Sequence, residues 1–355
     1  TTVGEQNVYG RFDPLLGWTN RPGSSVRYRR REYQTEVQIN ALGFRDVDRT
    51  EAPSPDVLRI VALGDSFVEA FTVERDEGVT RRLESRLGAS GCPVEVVNAG
   101  VHGYSTDQEA LWFQERGAAL RPRAVLLFFF YNDIINNVRD NYWGLRKPVV
   151  QVRAGRVEPV NTPLPGKDSG GAKEPVPATG GRRAPGSVFW RFIQSRVMMG
   201  APATYSRLAR WGLWPPLETE AFADELRAFK SRGALPEFDE AWRRTAEILA
   251  ALAQQVKAAG AEPVLVYIPA RLEVSDRDWD LTKQRYGLVE AAWDRDLVNR
   301  RLRAAIEGSP WRLVDLTRAL RAVNQWPREP YFAYDGHWNA LGHDTAATAV
   351  ADVLR

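Results

Sequence analysis

Four short clusters hold the residues able to do chemistry: Gly64-Asp65-Ser66-Phe67, Asn98-Ala99-Gly100-Val101-His102-Gly103, Tyr131-Asn132-Asp133, and Tyr334-Asp335-Gly336-His337-Trp338-Asn339. A serine hydroxyl is a poor nucleophile until a base takes its proton, and histidine has the ordinary pKa for that task. Asp335 stands two residues before His337, so on an extended segment it projects to the same side and can hold the imidazole by its second nitrogen. Acyl transfer also needs donors aimed at the oxyanion of a tetrahedral intermediate. The Ser66 N–H, the Gly103 N–H and the Asn132 side-chain amide can supply them. The expectation is therefore nucleophilic catalysis by Ser66, Asp335 and His337, with Ser66, Gly103 and Asn132 forming the oxyanion hole.

Taken singly, each cluster has an ordinary explanation. Gly, Asp and Ser are turn residues, Gly103 reads as a turn, and Asn132 as a loop cap. Their coincidence at three strand ends carries the argument, because ligands of open parallel sheets bind outside the carboxyl ends of the strands. Of the other two histidines, His102 beside Gly103 is a candidate substrate contact. His343, in the first turn of the last helix, reads as a surface residue.

The elements that must position these residues alternate. Leu58 to Leu63 is a buried strand ending at Gly64, Gly78 to Leu87 a helix, Val94 to Val97 a second strand, Thr106 to Ala119 a helix with Ser105 as N-cap, and Val125 to Phe130 an apolar third strand. The alternation resumes with a helix over Glu237 to Ala259, a strand over Pro263 to Ile268, a helix over Leu288 to Ile306, a short strand over Trp311 to Val314, and a last helix over Ala340 to Leu354 capped by Asn339. Strands alternating with helices predict an α/β, doubly wound parallel sheet. Residues 1–56 read as a β-rich N-terminal extension, in which Glu36 to Asn40 alternates as a half-buried strand does. Residues 57–355 read as the main domain. Within it, residues 136–235 interrupt the alternation as an insertion, with a Gly- and Pro-rich loop over Pro163 to Gly186 and an aromatic, helical flap over Val188 to Trp214.

Bulk properties narrow the class. The 355 residues are 44% hydrophobic and 26% charged, as expected of a globular protein with a large core. The net charge of +3 comes from 48 basic and 45 acidic residues interspersed along the chain, which gives no reason to expect a nucleic-acid partner. The densest basic run, Arg27 with Arg29, Arg30 and Arg31, reads as the solvated side of a strand. A lone cysteine, Cys92, excludes an internal disulfide, and three histidines without ligand spacing point away from a metal, so no cofactor is expected. No apolar run reaches the roughly 18 residues of a membrane-spanning helix. Because the numbering begins at Thr1, a leader or anchor removed ahead of it is compatible with the sequence.

The four ordered clusters resemble the first, second, third and fifth blocks of the SGNH, or GDSL, hydrolases. The Asp-Gly-His-Trp-Asn string resembles the branch that includes alginate acetylation proteins. The resemblance implies a flavodoxin-like three-layer fold and a serine esterase acting on acyl esters, O-acetyl groups of carbohydrates foremost. An acyltransferase using the same acyl-enzyme, or a lipid or thioester hydrolase, is the alternative. It also implies a small-molecule or glycan ester as partner. The preface motifs Leu16-Gly17-Trp18 and Asn40-Ala41-Leu42-Gly43-Phe44-Arg45 imply an exported protein, periplasmic, extracellular or held by an N-terminal membrane anchor. Tyr131 departs from the pattern, standing where a glycine often precedes the asparagine.

Overall fold

The structure is a computed structural model. It describes residues 9–166 and 225–355, apart from single positions 31, 90, 92, 143, 234, 326, 327 and 334, together with scattered positions between 193 and 214. Cys92 and nearly all of the expected loop and flap over 163–214 thus lie outside the described residues.

Two antiparallel hairpins open the chain: β1 (Gly10–Asp13) with β2 (Gly17–Asn20), and β3 (Ser25–Arg29) with β4 (Gln34–Gln38). In β4 alternate residues are buried, the half-buried strand its spacing predicts. Arg27 and Arg29 face solvent while Tyr28 between them is buried, so this part of the basic run is a solvated strand face; Arg31 lies outside the described residues. Tyr9, Tyr28, Tyr33, Val37 and Ile39 form a small core with Phe71 of the main body.

The main body is a five-stranded parallel sheet. Its strands are β5 (Leu58–Gly64), β6 (Val94–Gly100), β7 (Ala124–Phe129), β12 (Glu262–Tyr267) and β13 (Arg312–Asp315), hydrogen-bonded in the order β6-β5-β7-β12-β13. Numbered within the sheet this is 2-1-3-4-5, the flavodoxin-like order of a doubly wound fold. Every residue of β7 is buried, as a central parallel strand covered on both faces requires. Period-two alternation sorts the strand side chains. Val61, Leu63, Val97, Val125, Leu127 and Leu265 face a core shared with α3 (Thr106–Glu115) and α5 (Pro236–Ala258). Ile60, Ala62, Val96, Leu126, Phe128 and Val264 face a second core closed by α2 (Val79–Gly88) and α10 (Ala340–Leu354).

Two short helices start directly at strand ends, α1 (Ser66–Glu69) after β5 and α4 (Asn132–Asn136) after β7. Strands β5 and β7 flank the point where the strand order reverses, so both helices open onto the crevice where such sheets bind ligands. The start of the interrupting segment forms two further hairpins, β8 (Asn141–Tyr142) with β9 (Leu145–Arg146) and β10 (Val150–Arg153) with β11 (Arg156–Pro159). A pair of helices that the sequence leaves unmarked, α6 (Arg271–Val274) and α7 (Asp276–Tyr286), follows β12. Where a single helix was expected over Leu288–Ile306, residues 290–292 form a single 3-10 turn, and only α8 (Leu297–Ala305) is regular helix. A short α9 (Thr317–Val323) lies between β13 and α10.

Candidate active site

Nothing but a tight turn joins β5 to α1. Asp65 caps the helix by accepting the Phe67 N–H at 2.9 Å, and Gly64 lets the turn close against the sheet. A Cβ on Gly64 would lie 2.3 Å from Val68 Cγ2 and 3.2 Å from Phe128 Cβ. Ser66 is thereby presented as the first helical residue at the sheet edge. Helix α1 ends on Ala70, a non-glycine residue in the left-handed region at φ 60°. Arg45, buried beneath it, donates to the carbonyls of Glu69, Ala70 and Val73, satisfying the backbone of this strained end.

The segment before α10 reaches the serine from the far end of the chain. Asn339 caps that helix, accepting the Leu341 and Gly342 N–H groups. Trp338, fully buried, packs edge-on against Phe67, and its carbonyl accepts the Thr72 hydroxyl at 3.0 Å. These contacts bring His337 Nε2 to 2.8 Å from Ser66 Oγ, and Asp335 Oδ1 to 2.5 Å from His337 Nδ1. Burial alone would raise the Asp335 carboxyl, but the hydrogen bond and charge of His337 and the Tyr33 hydroxyl hold it below its usual value. An ionised Asp335 can only accept, which assigns the proton to Nδ1 and turns the Nε2 lone pair toward the serine.

Asn132, the first residue of α4, is buried at the end of β7, and its Oδ1 has no hydrogen-bond partner among the described residues. Gly103 lies in the loop after β6 with φ +77°, and a Cβ there would sit 2.8 Å from the Tyr142 ring. The Tyr142 side chain is also hydrogen-bonded to that of Asn132. One tyrosine of β8 therefore joins the two strand-end positions.

A sequence profile of the GDSL-like lipase/acylhydrolase family matches residues 62–345. The chain belongs to this family. Membership makes it a carboxylic ester hydrolase with the α/β sheet described above. Among solved structures, this hydrolase is similar to TesA at 15% identity, with 84% of this chain and 98% of that chain covered and a TM-score of 0.42. It is likewise similar to a catalytic mutant of an acetylxylan esterase from Geobacillus stearothermophilus, at 14% identity, 85% and 95% coverage and a TM-score of 0.42. No curated protein sequence matches the chain.

The remaining histidines of this GDSL-type hydrolase differ in kind. His102 packs edge-on against Phe71, which also contacts the His337 ring, and lies 3.8 Å from Glu69. Burial, with the neighbouring His337 adding to it, pushes His102 down to about 3, so it is neutral and makes no ion pair. Glu69, fully buried, accepts from the Tyr9 hydroxyl and the Asn20 amide, and burial pushes it up to about 7. His343 is not at the surface. It is buried against Trp338, and the expectation failed because positions 343, 346, 347 and 350 share the inward face of α10. Ser105 stands at the N-cap of α3 but does not cap it; its hydroxyl donates to Asp107 and accepts from Lys147. The Tyr131 ring is spent on core packing with Phe130 and Phe229.

Sequence reasoning missed the groups around Asp335. The Tyr33 hydroxyl donates to Asp335 Oδ2 at 3.0 Å, and the Glu32 carboxylate accepts the N–H groups of Ala333 and Asp335. Trp18 Nε1 donates to the His102 carbonyl. Nothing in the sequence ties a hairpin tyrosine to a residue some three hundred positions away.

Proposed function

We propose that this protein hydrolyses acyl esters, in the first place O-acetyl groups carried by a carbohydrate, through an acyl-Ser66 intermediate. The observation that carries the reading is the continuous hydrogen-bonded chain from Ser66 Oγ through both His337 nitrogens to Asp335. Ser66 Oγ attacks the ester carbonyl carbon as its proton passes to Nε2, and Asp335 stabilises the imidazolium. The oxyanion is stabilised by the Ser66 and Gly103 N–H groups and the Asn132 amide. Collapse breaks the bond to the alcohol, which leaves with the proton from Nε2. Water then gives a proton to Nε2 and attacks the acyl carbon, and collapse breaks the bond to Ser66 Oγ, which takes that proton back from Nε2 as the carboxylic acid departs. The acetyl preference, like the carbohydrate, is this reading's own and is what the substrate panel below tests. The carbohydrate part rests on the resemblance of the Asp-Gly-His-Trp-Asn string to alginate acetylation proteins.

The test is a panel of short aryl esters, long-chain esters and acetylated polysaccharides, run with wild type and Ser66→Ala. Acetate release from the polysaccharides by wild type, and its loss with unchanged circular dichroism in the variant, is the expected result. Activity persisting in Ser66→Ala would move the nucleophile elsewhere. Acetyl transfer to added oligosaccharides that consumes most of the donor would replace hydrolysis by transfer.

A further inference from the structure

We propose that Tyr33, on the N-terminal hairpin outside the part of the chain that matches the family, is a positioning residue for the catalytic triad, acting through Asp335; this rests on the triad reading above. Asp335 has two carboxylate oxygens and one imidazole to hold. Oδ1 faces His337 Nδ1, while Oδ2 accepts the Tyr33 hydroxyl at 3.0 Å. The tyrosine ring is fixed between Phe71 at 6.2 Å and Phe332 at 5.2 Å, so the hydroxyl is aimed rather than free to rotate away. Beside it the Glu32 carboxylate accepts the N–H groups of Ala333 at 2.7 Å and Asp335 at 3.0 Å, holding the same loop by its backbone. Two consecutive residues thus fix the backbone and the second oxygen of the triad acid.

The chemical consequence follows from what the hydroxyl does to the carboxylate. A donor on Oδ2 spreads the negative charge and makes Asp335 a weaker base, which tempers its hold on the His337 imidazolium. Burial and the Asp335 charge push the Tyr33 phenol far above its ordinary range, so it remains a donor at every working pH. The other ionisable groups facing this cluster are Tyr28, Arg30 and Glu32 on the hairpin, Asp65 at the start of α1, His102 after β6, Arg271 on α6, and His343 on α10. His102 and His343 are both pushed down to about 3 by burial and stay neutral.

Without the hydroxyl, Asp335 becomes more basic and holds the imidazolium to higher pH, so the base is withdrawn over a wider acid range. In Tyr33→Phe the acid limb of kcat/KM for a short aryl acetate should move to higher pH by about half a unit. At neutral pH kcat should fall roughly three- to tenfold with KM little changed. Replacing Tyr33 by 3-fluorotyrosine, a more acidic phenol of nearly the same shape, should move the limb the other way, and that comparison does not depend on Tyr33→Phe folding. In an Asp335→Asn background, Tyr33→Phe should have no further effect on the residual rate. Superimposable pH profiles for folded wild type and either variant, or a change confined to KM, would overturn the proposal. Ser66→Ala measured alongside separates the two readings: if it is inactive while the Tyr33 variants match wild type, the triad stands and only the positioning role falls.

Discussion

Asn132 is the residue on which the proposed chemistry makes its sharpest demand. Its Oδ1 is buried without a partner among the described residues, an arrangement that costs stability and suits a side chain placed for something other than folding. Asn132→Ala should therefore lower kcat by about 10²–10³-fold, the usual loss for one oxyanion donor, with a smaller change in KM and a stability loss of only about 1 kcal/mol from the broken Tyr142 hydrogen bond. Steady-state kinetics on an aryl acetate decide this, and an effect confined to KM would demote Asn132 to substrate positioning. The grouping of Ser66, Asp335 and His337 was legible in the sequence because each lies where an element ends or begins, and the fold rules say which ends converge. Tyr33, Glu32 and Trp18 were not legible, because a residue that acts through a hydrogen bond across three hundred positions leaves no periodic trace. His343 was misread although its trace was present, in the i, i+3, i+4, i+7 pattern with Ala346, Ala347 and Val350.

Among the elements, the sheet strands were legible to within a few residues, since parallel strands are short apolar runs between turns. The segment after β12 was not. Ser275 caps α7 by accepting the Asp278 N–H, but the helix itself is so polar that it shows no apolar face to read. The hairpins of the interrupting segment are held by a device that the sequence also concealed. Lys147, fully buried just past β9, donates to both carboxylate oxygens of Asp107, to the Ser105 hydroxyl and to the Asn136 carbonyl. It ties the hairpin to the start of α3 and the end of α4. Removing one partner of a buried pair leaves the other charge uncompensated, so Lys147→Met should destabilise the protein by about 3–5 kcal/mol. Denaturant unfolding measures it, and a loss below about 1 kcal/mol would mean that Asp107 finds a proton or water instead. A milder case is Asn339→Ala, which removes two cap hydrogen bonds from α10 and should cost about 1 kcal/mol.

At the scale of the whole molecule, the N-terminal hairpins and the main body share one set of buried acids. Arg45, Tyr9, Asn20 and Tyr33 all reach from the first 45 residues to α1 or to Asp335. The crevice they surround buries carboxyls without full compensation. Burial pushes Asp65 up to about 6, Glu69 to about 7 and, on the far side of the sheet edge, Glu273 to about 8. Each holds its proton more tightly in the folded chain than in the unfolded one, so these three carboxyls make stability fall as the pH rises between about 5 and 8, while His102 and His343, pushed down to about 3, oppose that slope below the ordinary histidine value. The opposite case is Asp13, Asp315 and Asp335, whose folded values are lowered, so their contribution is present above the ordinary carboxyl range and is lost only in stronger acid. Above about pH 6.5, where the histidine contribution is complete, the thermal midpoint should therefore decline toward pH 8.5. Glu69→Gln isolates one term. The amide cannot titrate, so the variant loses the acid-side advantage yet escapes the cost of ionising a buried carboxyl, a difference of a few kcal/mol across the window. Midpoints measured at pH 5.5 and pH 8.5 should differ less in Glu69→Gln than in wild type, and equal differences in the two proteins would show that Glu69 is ionised throughout and that the hairpin contacts, not its proton, keep it buried.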